Sequence, residues 1–393
     1  MTILEIVLRV CTWAGFCWLF IAWTNPLHGR KHSLLYLTRL RYIHDLAILC
    51  SPWLLFRPGS VTHDLTLLFD LNAYHNDRLI TLFMTLASLF GLVGLARQVF
   101  IYRMQLWHAP VKTISKLIQY YPPAIYQHQP VRKSPLLYIP GNQVWSVEYN
   151  SKEVLLDPRC RAYAGLSILH LSDLHLIGFL NQQFYCEMMQ EALKLQPSGR
   201  PYDLVIFTGD LLDQPDMLDW IEPVFSQIPP ELPRYYILGN HDWTKCDPAL
   251  IRRELDRLGW IDISSIMVTV ETRLGPVELA GTEVPWMGSS PPLSEQHAGA
   301  LRILASHSPD QIMFAAYHNV DLVLAGHTHG GQVVIPFFGP MYSPSIYGPR
   351  YAGGTFKERQ TVMHVSRGIS GEHPLRWNCR PEVSRLVLGI QEA

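Results

Sequence analysis

Two hydrophobic patterns share this chain. Near its start, apolar residues run for the length of a helix with almost no charge: 79–96 carries none, 6–23 carries only Arg9, and 43–56 carries Asp45 and is interrupted by Pro52. At about 1.5 Å per helical residue, such a run crosses most of a hydrocarbon layer roughly 30 Å thick. The pattern predicts an N-terminal helical membrane region over residues 1–102, with 79–96 as its strongest span. Residues 6–23 come second, because Arg9 lies near one end and can snorkel to the interface. The stretch 43–56 reads as a third span, a re-entrant segment or a soluble helix.

From about residue 144 the apolar runs are short. Residues 167–171, 204–207, 235–238 and 322–325 read as strands buried on both faces. Residues 182–195, 216–225, 248–258 and 309–318 read as helices, the last two opened by proline. Residues 268–272 and 277–280 form a hairpin about Gly275, and 362–365 and 384–388 complete the strands. Strands alternating with helices, plus a hairpin, predict an α/β fold with mixed pairing over 144–393. The interval 103–143, with Pro122, Pro123, Pro130, Pro135 and Pro140, reads as an irregular linker.

Composition agrees with a membrane-tethered protein. Of 393 residues, 48% are hydrophobic and 17% charged, against about a quarter charged in soluble domains. A formal net charge of −1 offers no basic footprint, so no nucleic-acid partner is expected. The seven cysteines are scattered and odd in number, which argues for reduced thiols rather than a disulfide framework. Basic residues gather at Arg30, Lys31, Arg39 and Arg41 and again at Arg97, Arg103, Lys112 and Lys116, with Asp64, Asp70 and Asp77 between them. With three crossings, this asymmetry places both basic segments and the domain that follows in the cytoplasm. A cleaved signal peptide is the competing reading of the first stretch, but Glu5 stands where a basic region belongs.

The chemistry is concentrated in five short words: Asp173-Leu174-His175, Gly209-Asp210, Gly239-Asn240-His241-Asp242, Ser306-His307-Ser308-Pro309 and Gly326-His327-Thr328-His329. Carboxylate and amide oxygens mixed with imidazoles suit Mn first, with Fe or Zn as alternatives, whereas a Ca or Mg cage is nearly all oxygen. In an extended stretch, Asp173 and His175 point the same way and grip one ion while Leu174 turns into the core. Gly209 permits a sharp turn that leaves Asp210 projecting, where its carboxylate can bridge two ions. Four of the words follow predicted strands directly, at the carboxyl ends where open α/β sheets gather ligands. Two divalent ions about 3.5–4 Å apart activate water and clamp the oxygens of an in-line phosphoryl displacement. No Gly-x-Ser-x-Gly elbow or Cys-x-x-Cys pair offers a covalent nucleophile. His241 is the natural general acid.

These words, in this order, resemble the calcineurin-like metallophosphoesterase family from about Val144 to the C-terminus. The resemblance implies a two-sheet α/β sandwich. It implies that Asp173, His175, Asp210 and His329 hold one metal, and that Asp210, Asn240, His307 and His327 hold the other. His241 would sit beside the scissile phosphate and protonate the leaving oxygen, with Asp242 orienting its ring. The Gly-His-Thr-His-Gly-Gly-Gln word and the tail from Val365 to Glu382 are similar to a membrane-associated branch that includes UDP-2,3-diacylglucosamine pyrophosphatase-type enzymes.

The expected activity is hydrolysis of a phosphodiester or pyrophosphate, on a lipid-linked substrate if that likeness holds. The alternatives are a phosphomonoesterase acting on phosphoproteins and a non-catalytic metal-binding scaffold. Asp213 and Gly330-Gly331-Gln332 are expected to shape the pocket, Arg376 is a candidate phosphate fork, and 176–180, 284–287 and 337–351 are candidate lipid-facing loops. His63, His75, His128, His170, His318 and His364 read as structural.

Overall fold

Residues that continue their apolar pattern without polar relief form long helices here, and residues with short apolar runs form strands. A computed structural model describes residues 3–56, 75–107, 111–119, 132–197, 200–293, 296–297 and 299–391. The expectations resting on His63, His128, Asp64, Asp70, Pro122, Pro123 and Pro130 lie outside them. The chain divides into two units, Met1–Trp107 with Phe337–Arg350, and His108–Pro336 with Tyr351–Ala393.

The first unit contains α1 (Ile3–His28), α2 (Leu34–Phe56) and α3 (His75–Trp107). Helices α1 and α3 approach so closely that a Cβ on Gly91 would collide with the backbone of Gly15. The indole N–H of Trp18 donates to Gln98 Oε1 at 2.9 Å, and that of Trp13 donates to Ser51 Oγ at 3.0 Å, tying α1 to both neighbours. Thr12, Thr24, Asn25, Ser51 and Ser88 are buried, while Val10, Trp23, Leu46, Leu49, Trp53, Leu89, Phe90 and Val93 are exposed. Small and polar groups face inward and large apolar ones outward. Taken over their described residues, none of these helices is long and apolar enough to cross a membrane.

In the second unit, β1 (Val111–Gln119), β2 (Ser146–Leu156), β3 (Ser167–Leu171), β4 (Leu204–Phe207), β5 (Arg234–Tyr236) and β6 (Ile261–Asp262) are interleaved with four helices. These are α4 (Gln182–Leu193), α5 (Ile221–Phe225), α6 (Asn240–Lys245) and α7 (Pro248–Arg257). There follow β7 (Met267–Thr272), β8 (Gly275–Thr282), β9 (Leu301–Ser306), α8 (Ile312–Tyr317) and β10 (Leu322–Ala325). Short strands β11 (Val334–Ile335) and β12 (Gly339–Pro340, in the helical unit) precede β13 (Gly354–Glu358), β14 (Thr361–Val365) and β15 (Glu382–Ile390).

One sheet has the order β1-β2-β15-β3-β4-β5-β6 and the other β13-β14-β10-β9-β8-β7. Both are mixed: β3, β4 and β5 run parallel while β15 is antiparallel to β3, and β8, β9, β10 and β14 run parallel with antiparallel strands at both edges. This is an α/β fold of two mixed sheets.

Burial on both faces explains the unbroken apolar runs. On β4, Leu204 and Ile206 enter the core between the sheets, and Val205 and Phe207 enter the core under α4, α5 and α7. Strand β1 lies in the interval expected to be irregular; its pairing with β2 makes that part of the interval the edge of the larger sheet. The predicted helices 216–225 and 309–318 each begin as a 3-10 turn, Pro215–Trp220 and Pro309–Gln311, which continues into α5 and α8.

Candidate metal centre

The strands β3, β4 and β5 run parallel in one sheet and β9 and β10 in the other, and each is followed by one of the five words. Asp173 and His175 follow β3, Asp210 follows β4, Asn240 and His241 open α6 after β5, His307 follows β9, and His327 and His329 follow β10. The backbone differs from the extended stretch expected for the first word. Asp173 and His175 have φ of 53° and 42°, Asp210 57°, His327 70° and His329 51°. Left-handed backbone at a residue with a Cβ costs energy of order 1–3 kcal/mol, and such strain gathers where geometry serves a site. The conformation survives because Asp173 N–H donates to Gly209 O at 2.9 Å and His175 N–H to Asp210 O at 3.0 Å, while Leu174 is buried in the core.

The side chains converge. Ligand atoms of Asp173, His175, Asp210 and His329 lie within 4.8 Å of one another, as do those of Asp210, His307 and His327. Asp210 belongs to both groups. Its Oδ2 stands 3.5 Å from His175 Nε2 and 3.3 Å from His307 Nε2, between the two sets. Asn240 Oδ1 joins the second set, 3.0 Å from His307 Nε2.

Asp210 Oδ2, His175 Nε2 and His329 Nδ1 are buried without hydrogen-bond partners. Orphaned polar atoms are costly unless something absent from a protein-only structure takes them. A mixed carboxylate, amide and imidazole set fits a pair of divalent cations. Burial opposes charge on His175 and His307, yet Asp213 and Asp210 raise the first, and Asp210 the second, to about 9. The field that pulls protons onto these rings is the field that attracts cations.

Close approach demands glycine at two points. A Cβ at Gly326 would strike the hydroxyl of Ser172 and one at Gly239 would strike the Asp210 carboxylate. Supporting bonds fix each ligand. His307 Nδ1–H donates to Thr208 O at 2.7 Å, Ser172 Oγ–H to Asp173 Oδ2 at 2.7 Å, and His241 N–H to Asp210 Oδ1 at 2.8 Å.

Three roles read from sequence change. Asp242 does not reach the His241 ring; fully buried, it accepts the N–H groups of Gly239, Asp210, Leu211 and Leu212, each at 2.9 Å, and so binds two ligand loops together. Asp213 holds the ring instead: its Oδ1 accepts His241 Nδ1–H at 2.9 Å and His175 Nδ1–H at 2.8 Å. Against the upward push of burial, those two imidazoles hold the Asp213 carboxyl well below its ordinary range.

Arg376 is 1% exposed and cannot fork onto substrate. Its guanidinium donates to the carbonyls of His329 at 2.8 Å, Arg367 at 2.7 Å and Ser370 at 2.5 Å, bracing the loop that carries a ligand. Of the expected lipid-facing loops, Leu176 and Leu180 are core residues, Phe337–Arg350 belongs to the helical unit, and Trp286 packs its ring 4.6 Å from His327 and 5.5 Å from His307. Asp213, three residues after Asp210 in Asp-Leu-Leu-Asp, carried a readable signal; Trp286 was read within the loop 284–287, but not as a ring packed on two candidate ligands.

The calcineurin-like phosphoesterase profile matches residues 166–331, which hold all seven candidate ligands. Phosphodiesterase YaeI of Escherichia coli is 31% identical over 229 residues, covering 57% of this chain and 83% of YaeI. The chain belongs to the calcineurin-like phosphoesterase family. Metallophosphoesterase YkuE of Bacillus subtilis is 27% identical over 259 residues, 64% of this chain and 87% of YkuE. UDP-2,3-diacylglucosamine pyrophosphatase LpxG of Chlamydia muridarum is 31% identical over 90 residues only, 21% of this chain and 27% of LpxG. As a member of the family, the protein is a metal-dependent phosphoesterase with a candidate dinuclear His/Asp site.

Proposed function

We propose that the protein hydrolyses a phosphodiester or pyrophosphate bond in a lipid-linked substrate at a membrane surface, using two divalent cations, Mn by preference. Asp173, His175, Asp210 and His329 would hold one cation and Asp210, Asn240, His307 and His327 the other. When bound, such a pair neutralises phosphate charge and supplies an activated water.

The observation that carries the hydrolytic reading is the His241–Asp213 pair. The alkoxide expelled from a phosphate ester is a poor leaving group that gains from a proton. His241 is only 15% exposed at its side chain, and with Nδ1 committed to Asp213 its Nε2 is the nitrogen left to give that proton. The Asp213 carboxylate, with Lys245 Nζ 3.4 Å from its other oxygen, keeps the ring oriented and balances its charge when protonated.

The membrane reading is supported by the helical unit, whose large apolar side chains face outward while small polar ones are buried. Such an arrangement suits a hydrocarbon surrounding. Basic residues flanking the helices suit the anionic cytoplasmic face of a membrane, which supports a catalytic unit in the cytoplasm. YaeI, a phosphodiesterase, and LpxG, a UDP-2,3-diacylglucosamine pyrophosphatase, support a diester and a lipid pyrophosphate as substrate classes.

The test is turnover by the full chain in detergent with Mn. Bis-p-nitrophenyl phosphate and UDP-2,3-diacylglucosamine are expected to be cleaved well ahead of p-nitrophenyl phosphate. Preference for the monoester would overturn the reading in favour of a phosphomonoesterase, and no turnover of any would favour a scaffold.

A further inference from the structure

A buried polar chain crosses from one sheet to the other behind the metal site, and the chemistry above does not use it. Lys152 on β2 is 7% exposed, and its Nζ lies 3.0 Å from Glu382 Oε2 and 2.9 Å from Nε2 of His364, on β14 of the opposite sheet. His364 Nδ1 is 2.9 Å from His170 Nδ1, and His170 Nε2 is 3.0 Å from Thr208 Oγ1.

The sense of this chain follows from proton counting. Glu382 Oε2 also accepts from Asn150 Nδ2 at 2.8 Å and an Arg367 guanidinium nitrogen at 2.7 Å, so it is a carboxylate; burial lowers Lys152 from its ordinary value, but the ion pair with that carboxylate at 3.0 Å holds it as an ammonium. An ammonium has donors and no lone pair, so His364 Nε2 must accept. A neutral ring that accepts there carries its proton on Nδ1 and donates it to His170. His170 then accepts at Nδ1, carries its own proton on Nε2 and donates to Thr208. Burial and the nearby Lys152 keep both rings neutral, pushing His170 down to about 3 and His364 well below its ordinary value. Thr208 is the anchor: its N–H donates to Leu171 O at 3.0 Å, its carbonyl accepts His307 Nδ1–H at 2.7 Å, and Gly209-Asp210 follow it.

We propose that Lys152, His364, His170 and Thr208 form a one-way hydrogen-bond relay that fixes the turn that carries Asp210 and accepts the His307 ring, making Lys152 and His170 positioning residues for the metal pair. The relay rests on the dinuclear reading of the site, and its function is to hold the bridging carboxylate and one imidazole at the spacing two cations require. The charge on Lys152 thereby sets the tautomer of a ring it does not touch.

Long-range nitrogen–proton NMR of the full chain in detergent, loaded with diamagnetic Zn, tests the sense directly. His364 is expected to be protonated on Nδ1 and His170 on Nε2. The reverse tautomers, or a mixture, would overturn the relay. Thr208→Val, which keeps the shape and removes the hydroxyl, is expected to weaken binding of the second Mn equivalent about 10-fold or more by calorimetry. Thr208→Ser is expected to keep wild-type binding. Equal affinity in Thr208→Val and the wild type would also overturn the relay. A wild-type protein that binds fewer than two equivalents would instead refute the dinuclear reading, so the two failures are distinguishable.

Discussion

The two units of this molecule treat the same residue types in opposite ways. In the two-sheet unit Phe207 is 0% exposed, packed under α4, α5 and α7, and the site's polar groups sit at strand ends. In the helical unit Phe90 is 66% exposed, while Ser51, Ser88 and Thr12 are buried. The first arrangement is driven by water, and the second suits the apolar surroundings proposed above for the helical unit. The difference separates the chemistry from the rest of the chain: all seven candidate ligands belong to one unit, and under the proposed function the other sets where the enzyme works.

Chelation breaks the comparison most severely. Removal of divalent cations with EDTA is expected to abolish turnover while the helical content read by circular dichroism stays unchanged; residual turnover above about 1% would contradict a metal-dependent site.

His241→Ala is expected to lower kcat about 10²–10⁴-fold on a substrate with an alkyl leaving group. The loss should be far smaller with p-nitrophenolate, which leaves without a proton. Equal losses on both would make His241 a binding group rather than an acid.

Phe207→Ala and Phe90→Ala sharpen the contrast between the units. The first is expected to cost about 3–5 kcal/mol of stability. The second should stay within about 0.5 kcal/mol, as at an exposed site. Chemical unfolding in detergent compares them, and similar costs would mean that the helical unit has an ordinary core.

The last effect is invisible at neutral pH and emerges only in acid. His170 is held at about 3 when folded against 6.5 ordinarily, so the unfolded chain binds its proton first. Stability is therefore full above pH ~6.5 and falls progressively as pH drops toward ~3. His170→Gln should flatten that part of an acid-unfolding curve, and an unchanged slope would place the acid sensitivity elsewhere.

Much of this was legible from spacing. Strands 167–171, 204–207 and 322–325 have the predicted bounds because unbroken apolar runs ended by polar words leave few alternatives. Strand β9 was hidden by Arg302, which is buried in it and paired with Glu278 at 2.7 Å, and β2 by Asn150 and Lys152, whose partners are distant in sequence. The candidate ligands were readable because metal chemistry restricts residue types. Their left-handed backbone was not, since it depends on main-chain bonds between loops. The roles of Asp213 and Asp242 exchanged for the same reason: which carboxylate meets a ring and which meets backbone N–H groups is decided by the fold.

The central claim is that Asp210 stands between two cations. Anomalous diffraction from crystals grown with Mn tests it most directly. Two peaks about 3.5–4 Å apart are predicted, one beside Asp173, His175 and His329 and the other beside Asn240, His307 and His327, with Asp210 touching both. A single peak, or peaks away from Asp210, would contradict the account.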